Sequence, residues 1–188
     1  MVDHWSARVD EDALGVDWSE AHERCWRCGY RSNSQRCHVI PDALGGPNTA
    51  ENLVLLCARC HQEAPNHQDP QYVWAWLQAT CVSFYDTYWT YRGYEEFETM
   101  FGRKPFSWAA GADTLDEDEL HDQFHILFQR EYDRVVNHFG QGRLNPATIA
   151  CLIAEVERGI ANEHGVTPPV PSARNTNNRF LQLSTTGT

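Results

Sequence analysis

Polar and apolar positions divide the chain into a turn-rich first third and a helical remainder. Asp69-Pro70 predicts a helix start, with Asp suited to the N-cap and Pro to the first turn. Val73, Leu77, Cys81, Phe84, Tyr88 and Tyr91 then recur at spacings of four, four, three, four and three, the stripe of one long amphipathic helix. Asp113 or Thr114 predicts the cap of a second, running through Leu120, Phe124, Leu127, Phe128, Val135 and Phe139 until Gly140 and Gly142 end it. Asn145-Pro146 predicts a third, with Ile149, Leu152, Ile153 and Val156 as its buried face.

Earlier in the chain the periodicity shortens. Arg36-Cys37-His38-Val39-Ile40 reads as a brief strand closed by Pro41, and Gly45-Gly46-Pro47-Asn48 as a loop. The apolar run from Asn52 to Leu56 leads into a short helix, about Cys57 to Ala64, stopped at Pro65. Residues 1–20 are acidic and aperiodic, which predicts a loose arm with a turn at Asp17-Trp18-Ser19. From Val166 onward, Pro168, Pro169, Pro171 and then polar residues predict a disordered tail. The expected organisation is therefore an arm at 1–20, a compact core at 21–67, a helical extension at 68–165 and a tail at 166–188.

With 41% hydrophobic residues, the 188-residue chain has the apolar content of an ordinary globular protein. No apolar run approaches the roughly 20 residues needed to cross a bilayer, which argues against a membrane protein. The acidic N-terminal stretch lacks a signal peptide's layout, so the expected location is the cytoplasm. In that reducing setting seven cysteines point to metal or to buried thiols rather than to disulfides. Cys81 and Cys151, in apolar helical surroundings, read as buried thiols.

Cys25-x-x-Cys28 and Cys57-x-x-Cys60 are the four that pair. Two thiolates on one tight turn, met by two on another, supply the closed S4 tetrahedron that structural Zn²⁺ prefers. Gly29 suits the sharp turn of such a knuckle. Two pairs at this spacing make a redox role the weaker reading, so a structural zinc is expected.

A formal charge of −11 argues against nonspecific nucleic-acid binding by the whole surface. The distribution softens that. From Ala21 to His61, Arg24, Arg27, Arg31, Arg36 and Arg59 face only Glu23, Asp42 and Glu51, a local +2, and each of these arginines is a candidate phosphate contact or an ordinary surface residue.

Between and after the cysteine pairs lie Cys37-His38-Val39-Ile40-Pro41, Gly45-Gly46 and Asn52-Leu53-Val54-Leu55-Leu56-Cys57-Ala58-Arg59-Cys60-His61. In this order and with these gaps they resemble the HNH (ββα-metal) endonuclease family, in its version with a zinc-bound CxxC…CxxCH frame. The resemblance covers roughly residues 22–67. It implies an α+β fold: a small zinc-stapled ββα-metal core, here with an α-helical C-terminal extension of three long helices. It implies His38 as the base that activates water, Asn52 as the residue bracing the loop that orients the base, and His61 as a metal ligand on the helix. Asn52 can equally be a turn residue bonding its own backbone. The implied cofactor beyond the structural zinc is one divalent cation, Mg²⁺, Mn²⁺, Ni²⁺ or Zn²⁺, and the implied substrate is DNA.

Two departures stand out. The residue before the base is commonly Asp or His in the family, and here it is Cys37, a softer donor that favours Zn²⁺ over Mg²⁺ or merely packs. The second helix ligand usually follows the first by four positions, which here is Pro65, so either Asn66 or His67 substitutes, with His67 the expected ligand, or the site is weaker. The enzyme reading requires the imidazoles of His38 and His61 to converge on one cation beside the sulfur cage. Two alternatives stand beside a DNA endonuclease: a catalytically decayed zinc module that binds nucleic acid or protein, and an HNH scaffold acting on a small molecule. His121 and His125, four apart near Glu117 and Asp122, have a spacing that can bind metal, but they read as a charged solvent face because no cysteine or turn motif supports them. The aromatic residues from Tyr72 to Trp108 read as core or as a surface for a protein partner or a second copy.

Overall fold

The computed structural model describes residues 1–79, 84–109, 117–135 and 144–167. It divides into two compact units, Met1–Tyr88 and Trp89–Thr188, and has an α+β architecture in which one two-stranded antiparallel sheet is accompanied by helices.

In the first unit, β1 (Gln35–His38) pairs with β2 (Leu53–Leu56) in the register Gln35↔Leu56, Arg36↔Leu55, Cys37↔Val54 and His38↔Leu53. All four β2 residues are buried, so both faces of that strand are covered. β1 keeps Gln35 and Arg36 exposed. Trp26, in the middle of the first cysteine pair, is fully buried; its N–H donates to Leu55 O at 2.8 Å and so ties that turn to β2. After β2 comes the short helix α2 (Ala58–Glu63). It stops because Ala64 precedes a proline and is pushed into extended geometry, with ψ at 139°.

Residues 1–20 are anchored rather than loose. A short helix, α1 (Val2–Ser6), carries Trp5, whose Nε1 donates to Leu53 O at 2.8 Å. Leu14 and Val16 are buried, and Trp18 packs edge-on against Trp26. A few large apolar side chains decide this placement although most of their neighbours are acidic, because each buried one contributes about 1.5–3 kcal/mol.

The long helix expected after Pro70 is two helices, α3 (Gln71–Gln78) and α4 (Tyr88–Phe101). Val73, Leu77 and Tyr88 are buried, whereas Phe84 and Tyr91 are exposed, so one stripe does not run through. Asp86 takes a φ of 63°, a left-handed backbone that a continuous α-helix does not admit. Cys81 lies outside the described residues.

The second unit packs α5 (Glu117–Tyr132) against α6 (Pro146–Glu163). Asn145 caps α6 by accepting from Thr148 N–H at 2.8 Å, with Pro146 in the first turn. Ile149, Leu152, Ile153 and Val156 form its buried face as the periodicity requires. Cys151 is exposed, correcting its reading as a buried thiol: one residue on from a core position, a helix has turned about 100°. Gly93 lets α4 approach α6 closely, since a Cβ there would stand 2.2 Å from Ile149 Cγ2. Asp113, Thr114, Phe139, Gly140, Gly142 and the tail from Pro168 lie outside the described residues. No helix among the described residues is long and apolar enough to cross a membrane.

One charged group lies inside this unit. Glu157, 1% exposed on the buried face of α6, accepts two hydrogen bonds from Arg103, at 2.8 and 2.6 Å, and another from Phe106 N–H. Glu157→Gln keeps the shape but leaves the guanidinium without its counter-charge. Because Arg103 stays 24% exposed, the expected loss is about 2–3 kcal/mol, below the range for a fully buried pair, read as a lower urea midpoint.

Candidate active site and zinc cage

The Sγ atoms of Cys25, Cys28, Cys57 and Cys60 lie within 4.8 Å of one another. A tetrahedral zinc with bonds of about 2.3 Å would hold sulfurs about 3.8 Å apart, so a small inward movement completes the cage. Each pair is shaped by its turn. Gly29 N–H donates to Cys25 O at 2.8 Å, and Gly29 adopts a φ of 72° that a side chain would strain. Cys57 is the N-cap of α2, its sulfur accepting from Cys60 N–H at 3.5 Å.

Hydrogen bonds from Cys25, Cys28 and Cys60 hold the Cys57 thiol far below the ordinary range, while contact with Cys25 pushes Cys28 and Cys60 far above it. A divalent ion satisfies such a cluster in place of the protons, and binding therefore weakens as acid returns them.

His38 ends β1. Its Nε2 is buried and has no hydrogen-bond partner among the described residues, an orphaned polar atom at the position where a base is expected. The loop beyond it is pinned by Asn52, 4% exposed, which accepts from Ile40 N–H and donates to Ile40 O and Pro47 O, all at 2.9 Å. Gly46 lies so close that a Cβ would fall 1.8 Å from Ile40 O. Asn52 thus has three backbone partners across the loop, where a simple turn residue would bond only locally.

His61 faces Gln35, whose Oε1 is 2.9 Å from the imidazole Nδ1. His67 is exposed; its Nδ1 accepts from Asp69 N–H at 2.9 Å and its ring packs edge-on against Tyr72. Cys37 is buried, its thiol pushed up to about 11 by burial and, secondarily, by the charge of Cys25. Strand alternation puts Gln35 and Cys37 on one face of β1 and Arg36 and His38 on the other. Among the described residues, the four cysteines are the only group of three or more His, Cys, Asp or Glu side chains close enough to hold one ion.

Most candidate phosphate contacts are engaged within the protein. Arg24 is buried between Glu20, Gly29 O and the Tyr85 ring; Arg27 lies over Trp76 and donates to Trp76 O. Arg31 bridges Glu20 and Glu23, and Arg59 stands 3.9 Å from Glu63. Arg36 is exposed and shares the face of His38. Two residues escaped the sequence reading: Gln35, as the partner of His61, and Tyr85, as the platform for Arg24. Strand alternation counted from Cys37 was the available signal for Gln35; Tyr85 had none.

Residues 25–77 match the family model described as HNH endonuclease, from the first cysteine of the cage to the end of α3. No curated protein and no solved structure matches the chain.

Two expectations follow. Structural zinc contributes about 10–16 kcal/mol to comparable small folds, as much as a whole domain's stability of about 5–15 kcal/mol. Stripping the ion with a chelator, or replacing Cys57 by Ser, should therefore remove one zinc per chain and collapse the near-ultraviolet circular dichroism of buried Trp26. Asn52→Ala should cost about 2–4 kcal/mol in denaturant unfolding, for three lost hydrogen bonds and the backbone groups stranded with them.

A four-cysteine cage able to take zinc and a two-stranded sheet with a following helix lie within residues 25–77, the segment that is similar to the HNH endonuclease family.

Proposed function

We propose that the chain is a metal-dependent endonuclease that hydrolyses phosphodiester bonds in DNA, with His38 as the general base. The observation that carries this is the His38 Nε2: a buried ring nitrogen with no partner, on the strand that the cage and Asn52 hold in place. A histidine is suited to taking a proton from water near neutral pH. Nε2 is enclosed, so the role requires the site to admit a water to it and the ring proton to sit on Nδ1.

The cage holds zinc and keeps β1 and α2 in register. The orienting work falls to Asn52, which prevents the segment after His38 from swinging away. Arg36, two positions before the base and exposed, is the residue we assign to the scissile region's phosphate, where a guanidinium can bind bidentately. The donor set expected for a catalytic cation is not assembled as a cluster. His61 is the ligand we assign first, because Gln35 orients its ring; since Gln35 lies on the face of β1 opposite His38, the assignment requires the two imidazoles to be brought together when the cation binds. His67 would have to release Asp69 N–H, and Cys37 is enclosed. A hard divalent ion keeps several waters and binds through few protein groups, so a sparse donor set is compatible with it. When bound, the cation supplies charge neutralisation at the phosphate and the leaving oxygen.

A second reading has its own support. The separation of Cys37, His61 and His67, and the internal engagement of Arg24, Arg27 and Arg31, favour a zinc-stapled binding module that no longer cleaves. One experiment divides the two. Zinc-loaded protein is incubated with supercoiled plasmid and Mg²⁺, Mn²⁺, Ni²⁺ or Zn²⁺, and nicking is followed on a gel. The endonuclease reading expects metal-dependent nicking that His38→Ala reduces by about 10²–10⁴-fold with zinc content and circular dichroism unchanged. Nicking retained by that variant removes His38 from the role, and no nicking by the parent chain supports the binding module.

A further inference from the structure

The exposed face of α5 presents two imidazoles that point at one another. His121 and His125 are four residues apart, and their Nε2 atoms stand 3.1 Å apart with ring centroids at 4.4 Å. Solvent-exposed histidines have no need to converge, since water satisfies both ring nitrogens. The separation has a meaning in coordination chemistry. With metal–nitrogen bonds of about 2.0–2.1 Å, two nitrogens in neighbouring positions sit about 2.9 Å apart at a right angle and about 3.4 Å apart at the tetrahedral angle. The observed value lies between them.

We propose that His121 and His125 form a second, open metal site, specific for a late first-row divalent ion of the kind imidazole prefers, Ni²⁺, Cu²⁺ or Zn²⁺. The helix pre-arranges the chelate. Positions 118, 121, 122 and 125 share one helical face, and Asp122 brings a negative charge beside the pair. Asp122 Oδ1 lies 3.8 Å from His121 Nδ1, on the side of the ring away from His125. A carboxylate there favours the tautomer with its proton on Nδ1, which leaves the Nε2 lone pair for the ion. α5 itself is fixed: Leu127 is buried against Val156 and Ile160 of α6, and Gln123 Oε1 is 3.0 Å from His164 Nε2. Among the described residues two imidazoles supply the donors, so the remaining positions are left to water or to an incoming ligand. The site uses none of the residues assigned to cleavage.

The test uses the full, zinc-loaded chain titrated with Ni²⁺ by calorimetry, with proton NMR of the imidazoles alongside. The parent is expected to bind one more Ni²⁺ than the double variant His121→Gln/His125→Gln, and to show paramagnetic broadening of both ring resonances. Each single variant is expected to weaken that binding at least about tenfold, the lower end of what even an outer-shell partner contributes to metal affinity. Equal stoichiometry in parent and double variant overturns the site and leaves a hydrogen-bonded histidine pair. Loss of binding in only one single variant also overturns it, because a chelate needs both rings. The nuclease assay is independent of either result.

Discussion

Four sulfurs drawn to within 4.8 Å cannot stay together as thiolates, since their like charges repel, and as four protonated thiols they would form a weakly bonded cluster. A bound dication would remove that conflict and tie together two turns with 28 residues between them in sequence. Much of the first unit depends on that closure. Trp26 is buried because it lies between the two cysteines of the first pair, and its backbone bond to Leu55 passes the constraint to β2. β2 in turn sets the register of β1, and α2 begins at the Cys57 N-cap. The strand bearing His38 and the helix bearing His61 are therefore both hung from the sulfurs.

The cage also explains why a small sheet with few strands can carry a candidate site. A two-stranded ribbon is marginal in water by itself. Here the ribbon is covered on both faces of β2, clamped at one end by metal ligands and buttoned at the other by Asn52. Asn52 and Gly46 work as a pair: the amide fills its hydrogen bonds only because no side chain stands between Gly46 and Ile40 O. Charge is arranged by the same economy of space. Arg24 and Arg27 lie inward over Tyr85 and Trp76, where they cement the knuckle, and Arg36 remains exposed on the face of β1 that carries His38.

The second unit follows a different logic. Its helices are held by periodic apolar faces and by close approaches at Gly93 and Gly159, where a side chain would meet Ile149 or Leu127. Its buried carboxylate Glu157 fastens the turn after α4 through Arg103 and Phe106 N–H. The unit holds the paired imidazoles of α5 on its surface rather than in its core.

Short-range chemistry was readable along the chain. The CxxC pairs, the Pro41 and Gly45-Gly46 loop, the stop before Pro65 and the Asn145-Pro146 cap depend on neighbours within a few residues, and each appears where the spacing places it. The family resemblance carried by the same segment recurs in the match over residues 25–77. What the linear pattern could not decide were matters of three-dimensional competition. Residues 1–20 look too acidic to pack, yet Trp5, Leu14, Val16 and Trp18 find partners distant in sequence. The stripe from Val73 to Tyr91 keeps helical spacing across a break, because periodicity carries no information about the left-handed backbone at Asp86. Whether an arginine meets a phosphate or a tryptophan, and whether two histidines four apart turn toward each other, depends on which rotamers the surrounding packing allows. Those choices belong to the tertiary structure, since the energies that separate them arise only between groups that folding has brought into contact.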